Sequence, residues 1–224
     1  MKIKKIPIIG PPLSNLASKI HRKFYFRNSG DYWEKRYKQG GNSGTGSYNR
    51  HAEFKAEILN TFVLENKIES VLELGCGDGN QLKMFDFKRY IGYDISQTIL
   101  NACLKEYSSD KSKEFKHIAK FVSEDFDLAM SLDVIYHLVE DEVFTSHMRL
   151  LFNDSHKNVV IYSSNFNDDY DGKTTVHVRH RKFVDWVENN AINFKLTKHI
   201  VNRNPYQGDE TIGSLADFYF YSKS

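Results

Sequence analysis

A short apolar run that enters a glycine-rich turn, Val71 to Gly79, restricts the folds open to this chain more than any other segment. The run reads VLELGCGDG, with glycine at every second position of the turn. Glycine lets the backbone bend sharply and approach a neighbouring group closely, because it has no Cβ. The pattern predicts a β-strand, a tight turn and a helix, either with a ligand on the turn or as a bare connection.

The segment Tyr90 to Ser96 supplies a second predicted strand, which ends in the aspartate Asp94. An acidic residue at such a strand end can accept hydrogen bonds from both hydroxyls of a ribose. Alternatively Asp94 only caps the next helix, a role for which Ser96 is equally suited. The glycine spacing differs from the Gly-x-Gly-x-x-Gly of dinucleotide turns, and Glu73 would repel a pyrophosphate but attract an ammonium group.

Beyond residue 69, short β-rich runs alternate with helical stretches, which predicts a parallel sheet built from right-handed βαβ units. The predicted strands are Ser70–Leu74, Tyr90–Tyr93, Phe115–Ile118, Phe126–Leu132, Asn158–Tyr162, Phe194–Asn202 and Asp217–Ser222. The predicted helices are Arg50–Asn66, Asn80–Phe85, Gln97–Tyr107, Asp141–Phe152 and Arg181–Asn190. Residues 12–29 predict a basic helix or ordered arm, and Asp31 a helix cap.

Composition narrows the class of protein further. The 224 residues suit one domain with some elaboration. A net charge of +2 does not require a nucleic-acid partner, and the apolar runs are too short to span a bilayer. The two cysteines, Cys76 and Cys103, exclude a disulfide scaffold and a four-cysteine zinc site. We therefore expect a cytoplasmic protein that binds a small molecule, with no nucleic-acid and no membrane partner.

With these motifs the chain resembles the class I methyltransferase superfamily, whose cofactor is S-adenosyl-L-methionine. VLELGCGDG matches the first family motif, IGYDIS the second and LAMSLDVIYHL the fourth, over Glu69 to Tyr162. The resemblance implies an α/β, Rossmann-like fold with a seven-stranded, mostly parallel sheet of order 3-2-1-4-5-7-6 and an N-terminal helical lid. Residues 1–49 would form the helical arm and lid, and residues 50–224 the catalytic domain.

The resemblance also implies a cofactor site, with the methionine moiety over the glycine turn, the ribose on Asp94 and the sulfonium beside Leu132 and Asp133. The predicted cofactor-binding residues are Tyr32, Trp33, Arg36, Glu73, Gly75, Cys76, Gly77, Asp94, Ile95, Leu132 and Asp133. The aromatic rings can lie against the cofactor and Arg36 can pair with its carboxylate. Trp33 and Tyr37 would equally fasten the arm to the core. The loop Gly40–Ser47 is predicted to order as a lid when cofactor binds.

The sequence departs from the family at the position that would contact the adenine of the cofactor. An acidic residue often follows the third strand in the family, whereas Ile118, Ala119 and Lys120 stand here. Glu124 and Asp125 are the candidate substitutes.

Ligands of open α/β sheets bind beyond the carboxyl ends of the strands, so the loops after strands four to six should face the methyl group. The predicted substrate-binding residues there are His177, Arg179, Arg203 and Tyr206, which suit an anionic, hydroxylated acceptor. The predicted catalytic residues are His137 as general base or orienting group, Tyr136 as its helper and His180 as the reserve. The alternative for His137 is that it only packs at the start of a helix. The alternative for His177 and His180 is that they lie in a solvated turn. No metal is predicted, because methyl transfer from a sulfonium needs none.

The N-terminal extension resembles methyltransferases of bacterial surface-polysaccharide pathways, capsule modification included. We therefore expect O-methylation of a sugar, a nucleotide-sugar or a phosphorylated precursor. Two other functions share parts of the pattern: a nicotinamide-dependent oxidoreductase or epimerase, and a methyltransferase-like regulatory subunit without activity.

Overall fold

The computed structural model describes residues 26–153, 156–172 and 175–224. Most of the predicted N-terminal arm, residues 12–25, lies outside them. The α-helices are α1 (Ser29–Lys38), α2 (Asn49–Glu65), α3 (Gln97–Glu106), α4 (Asp141–Leu151) and α5 (Phe183–Asn190). The strands are β1 (Ser70–Leu74), β2 (Arg89–Asp94), β3 (Lys113–His117), β4 (Phe126–Leu132), β5 (His156–Ser163), β6 (Phe194–Ile200) and β7 (Asp217–Lys223).

The strands form one seven-stranded sheet of order β3-β2-β1-β4-β5-β7-β6, which confirms the predicted order and fold class. Neighbours from β3 to β5 pair in parallel, and β7 runs antiparallel to both β5 and β6. The chain leaves β1 toward β2 and returns on the other side as β4, so a crevice opens at the carboxyl ends of β1 and β4. Open α/β sheets bind their ligands at such a crevice.

Both faces of the sheet are covered, as the alternating strands and helices require. One face packs on α2 and α3 through Leu59 and Leu100, and the other on α4 and α5 through Met148 and Phe183. Within the described ranges, no helix has both the length and the apolar character needed to cross a membrane.

Two local predictions are wrong. The predicted helix Asn80–Phe85 is a single turn of 3-10 helix, Gln81–Met84, because buried Phe85 and Phe87 already turn the chain back toward β2. The cap of α1 is Asn28 rather than Asp31: the Asn28 side chain accepts a hydrogen bond from the backbone N–H of Asp31 at 2.7 Å, which places Asp31 in the first turn.

Candidate active site

A cavity of about 590 Å³ lies at the carboxyl ends of β1, β2 and β4, a size typical of small-molecule sites. Nine of the eleven predicted cofactor residues line it: Trp33, Glu73, Gly75, Cys76, Gly77, Asp94, Ile95, Leu132 and Asp133. His137 lines the same cavity. Most of the predicted cofactor residues therefore lie at this wall, and the fold brings the two motifs together.

The glycine turn that forms one side of the cavity requires glycine for two reasons. Gly75 and Gly77 have φ of 87° and 57°, in the left-handed region that side chains disfavour. A Cβ at Gly75 would lie 2.5 Å from a methyl carbon of Val134, and one at Gly77 would lie 2.3 Å from Ser43 Oγ. A side chain at either position would thus collide with the protein itself, so a substitution there does not probe the ligand cleanly.

Asp94 ends β2 with its carboxylate inside the cavity wall. Its Oδ2 accepts from the backbone N–H of Gly77 at 3.0 Å, and its Oδ1 accepts from that of Ser96 at 2.9 Å. Burial raises the pKa of Asp94 in spite of these bonds. Ser96 provides the cap of α3, accepting from the backbone N–H of Ile99 at 3.2 Å. A carboxylate has about four acceptor sites, so Asp94 can receive a hydroxyl group in addition to these backbone N–H groups.

Glu73, one strand away, is buried beside Asp94. Its carboxyl accepts a hydrogen bond from the Tyr90 hydroxyl at 2.5 Å. Burial raises the pKa of Glu73 to about 7, although the Tyr90 bond and the charge of Lys55 act in the opposite direction. A carboxyl that titrates near neutrality in a cavity is poised to take up or release a proton when a cation binds.

The N-terminal segment covers the cavity through polar contacts. Glu34 on α1 accepts from Ser96 Oγ at 2.5 Å and from Thr98 Oγ1 at 2.8 Å. In the following loop, Ser43 donates its backbone N–H to Asp78 Oδ2 at 2.9 Å. The helix is therefore attached to the start of α3, and the loop to the glycine turn.

Replacing Glu34 with glutamine should loosen α1. Burial raises the pKa of Glu34, but hydrogen bonds from Ser96, Thr98 and Lys38 outweigh it and lower the pKa from 4.5 to about 2. A lowered carboxyl pKa means that the contact contributes fully above pH 4.5 and is lost as the pH falls toward 2. We expect Glu34→Gln to speed amide exchange in α1 roughly tenfold at neutral pH, the effect of about one charged hydrogen bond.

Asp31→Asn is the matched control on the same helix, because the Asp31 carboxylate forms long, exposed ion pairs with Arg27 and Lys35, at 4.0 and 3.6 Å, which contribute little to stability. Hydrogen exchange followed by mass spectrometry gives the comparison. Equal exchange of α1 in both variants would contradict the role of Glu34 in holding the helix.

The other predicted site residues lie outside the cavity wall. Tyr32 stacks on the His177 ring with centroids 4.4 Å apart, and Arg36 donates to the backbone carbonyl of Asn42 at 2.7 Å. Arg179 pairs with Asp141 at 2.8 Å, Arg203 pairs with Glu57, and Tyr206 is 40% exposed in a loop. No predicted arginine thus faces the cavity to hold an anionic acceptor.

Of the three predicted catalytic residues, one lines the cavity and two do not. His180 bonds to Ser164 Oγ through Nδ1 at 2.6 Å and stacks on Phe166, away from the cavity wall. Tyr136 donates its hydroxyl to Asp133 at 2.9 Å. Only His137 lines the cavity itself.

Within the described ranges, the His137 ring forms a hydrogen bond through Nδ1 and none through Nε2. Its Nδ1 lies 3.0 Å from the His177 backbone carbonyl, which can only accept, so Nδ1 carries the proton and Nε2 keeps its lone pair. Burial lowers the pKa of His137 to about 4, although the carbonyl bond opposes the shift. The ring is therefore neutral at neutral pH and serves as a hydrogen-bond acceptor.

Two residues that sequence reasoning missed belong to the site. The Lys55 ammonium is fully buried and lies 2.5 Å from Asp133 Oδ2. Gln81 lines the cavity with a buried amide nitrogen that has no hydrogen-bond partner among the residues that the structure describes. A signal for Lys55 was present, since it lies three and four residues before the apolar Ile58 and Leu59 of the predicted amphipathic helix and thus on its buried face.

The two candidates for adenine recognition are wrong. Glu124 pairs at 2.7 Å with Arg89, the first residue of β2, and Asp125 directly precedes β4. Both lie at the amino ends of the strands, the edge opposite the cavity. The cavity wall itself contains the apolar residues Ile95, Ile118 and Leu138, together with His147.

Among the described residues, no three His, Cys, Asp or Glu side chains are grouped so as to hold a metal ion.

Comparison with known proteins supports the same fold. The family model described as a methyltransferase domain matches residues 72–155. No curated protein matches the chain in sequence. The N-methyltransferase NodS from Bradyrhizobium japonicum, in complex with S-adenosylhomocysteine, has a TM-score of 0.59 at 15% identity over 77% of this chain and 87% of its own.

Two further solved structures are similar. The methyltransferase domain of bacterial CtHen1-C has a TM-score of 0.58 at 16% identity over 75% of this chain and 96% of its own. The magnesium protoporphyrin IX methyltransferase ChlM from Synechocystis, with bound S-adenosylmethionine, has a TM-score of 0.56 at 14% identity, covering 92% and 97%. At these identities the likeness concerns the fold. The chain therefore has the class I methyltransferase fold, and its residues 72–155 match the methyltransferase domain family.

Proposed function

We propose that this protein is an S-adenosylmethionine-dependent methyltransferase that methylates a hydroxyl group of a small polar acceptor. The observation that carries the proposal is the joint placement of Glu73, Asp94 and His137 in one cavity at the switch point of this sheet. Asp94 offers two acceptor oxygens for a ribose and Glu73 a carboxylate for an ammonium group. When bound, S-adenosylmethionine supplies an electrophilic methyl group on a sulfonium.

The residues on the acceptor side need only align a nucleophile and receive a proton. Methyl transfer is an in-line displacement, so a hydroxyl oxygen must be held about 3 Å from the methyl carbon. His137 Nε2 accepts the hydroxyl hydrogen bond and turns an oxygen lone pair toward the methyl group. An oxygen that has just been methylated is strongly acidic, so a neutral imidazole suffices as the proton acceptor even with a low pKa.

The acceptor that we propose is a sugar or nucleotide-sugar of bacterial surface-polysaccharide biosynthesis, such as a capsule precursor made in the cytoplasm. The resemblance of the N-terminal extension supports this pathway. Since Arg179 and Arg203 are both paired with carboxylates, any phosphate of the acceptor should remain outside the cavity. The test is mass spectrometry of reactions with S-adenosylmethionine and sugar, nucleotide-sugar or amine acceptors. Methylation of amines alone would contradict O-methylation.

A nicotinamide-dependent oxidoreductase is the weaker candidate. Its sheet is typically all parallel with order 3-2-1-4-5-6, whereas here an antiparallel β7 lies between β5 and β6. The Glu73 carboxylate would also repel the pyrophosphate of a nicotinamide dinucleotide.

Glu73 makes ligand binding depend on pH in a defined direction. Its pKa of about 7 means that the carboxyl is largely protonated below that pH and charged above it. Affinity for S-adenosylhomocysteine, whose ammonium seeks the charged form, should rise about tenfold from pH 6 to pH 8 and then level off. Glu73→Gln should remove this dependence, as measured by calorimetry. A wild-type affinity that falls over the same range would contradict the role of Glu73.

A further inference from the structure

An ion pair joins Lys55 of α2 to Asp133, which follows β4 and lines the cavity in the region that the resemblance assigns to the methyl group. Lys55 Nζ is 2.5 Å from Asp133 Oδ2, and its side chain has no exposed surface. The ammonium also lies 5.0 Å from the centroid of the Tyr162 ring. Lys55 falls outside residues 72–155, so the family match does not include it.

The backbone conformation and the hydrogen bonds of Asp133 fix the position of its side chain. Its φ of 58° is in the left-handed region, a strained conformation for a residue other than glycine. Its backbone N–H donates to the Tyr162 carbonyl at 2.9 Å, and its Oδ1 accepts from the Tyr136 hydroxyl at 2.9 Å. The side chain is 13% exposed and lines the cavity. This fold thus maintains a strained backbone that directs one carboxylate into the site.

The negative charge of the Asp133 carboxylate is balanced within the protein by the Lys55 ammonium. A carboxylate without a partner would favour a cationic acceptor such as a protonated amine. A carboxylate paired with an ammonium offers its remaining lone pairs to an uncharged O–H group without a net charge. Gly46 of the lid loop packs against the same carboxylate, since a Cβ there would lie 2.6 Å from Oδ2, so the loop limits access to the pair.

We propose that Lys55 and Asp133 form a specificity-determining pair: Asp133 receives a hydroxyl group of the acceptor next to the one that His137 binds, and Lys55 is a positioning residue that cancels the charge of Asp133 and so selects an uncharged acceptor. This inference rests on the proposed methyltransferase function. In the reaction, the acceptor oxygen forms the new O–CH₃ bond, the sulfonium S–CH₃ bond breaks with its electron pair on sulfur, and the hydroxyl proton passes to His137 Nε2.

The charge at the methyl position can be measured without knowing the acceptor. S-adenosylmethionine and sinefungin carry a positive charge at that position, on sulfonium and amine respectively, whereas S-adenosylhomocysteine carries none. The ratio of their affinities therefore reports the charge of the pair. Lys55→Met should raise the preference for the cationic ligands about tenfold or more, and Asp133→Asn should lower it by a similar factor.

The double variant Lys55→Met/Asp133→Asn removes both charges and should return the ratio to within about threefold of the wild type, because a buried pair can often be replaced as a unit. Lys55→Arg keeps the charge and should leave the ratio unchanged. If Lys55→Met does not fold, Asp133→Asn and the double variant still give opposite expectations. Single variants that change all three affinities by one factor would overturn the inference, since a merely structural role has that effect. Failure of the wild type to bind any of the three would overturn the proposed function as well.

Discussion

Replacing Asp94 with alanine is expected to weaken binding of S-adenosylhomocysteine about 100-fold or more. The two carboxylate oxygens are expected to receive the two ribose hydroxyls, and each charge-assisted hydrogen bond contributes roughly 1.5–3 kcal/mol. The substitution also removes the bonds that hold the Gly77 and Ser96 amides, so the turn under the cofactor loses its support. Isothermal calorimetry measures the loss directly.

Asp127→Ala is the matched control. Asp127 likewise accepts backbone N–H groups, from Glu69 at 2.9 Å and Ser70 at 3.1 Å, but at the amino end of β4. Its loss should lower the thermal stability of the protein to a comparable extent and leave the affinity intact. An Asp94 variant that binds as tightly as the wild type would remove Asp94 from the site.

Removing the imidazole of His137 should lower turnover about 100-fold or more while cofactor affinity stays within a few-fold, because proton transfer by a positioned base contributes about that much. Both His137→Ala and His137→Gln are informative, since glutamine fills part of the space and offers an oxygen but is a far weaker base. The measurement is single-turnover formation of S-adenosylhomocysteine with the acceptor that the wild type uses best.

His156→Gln is the control for loss of a buried histidine. Burial lowers the pKa of His156 to about 4 as well, but this residue begins β5 at the opposite edge of the sheet. Its variant should turn over normally once folded. Near-normal turnover of His137→Gln would mean that His137 only packs against Trp33 and Tyr136, whose rings lie 4.8 and 4.6 Å from its own.

The sheet and the glycine turn could be predicted because their signals are local. Alternation of β-rich runs with helical periodicity is visible within windows of a few residues, and the positions of Glu73 and Asp94 follow once a strand end is located. The carboxyl ends of parallel strands meet at one edge, so residues that are distant in sequence could be placed near each other without coordinates.

Side-chain partners could not be predicted in the same way. Arg203 and Glu57 are 146 residues apart, and Lys55 and Asp133 are 78 apart, so tertiary packing alone decides that each meets the other. The sequence showed arginines in loops near the expected mouth but not that Arg179 and Arg203 would already be paired with carboxylates. The turn after Gly79 became a 3-10 helix because buried phenylalanines beyond it limit its length, which is again a matter of packing.

Calorimetric titration of the purified wild-type protein with S-adenosylhomocysteine and, separately, with NAD tests the central claim most directly. A cavity with Glu73 and Asp94 at its wall and the sheet order β3-β2-β1-β4-β5-β7-β6 predicts saturable binding of S-adenosylhomocysteine and none of NAD. Saturable binding of NAD without binding of S-adenosylhomocysteine would contradict the account.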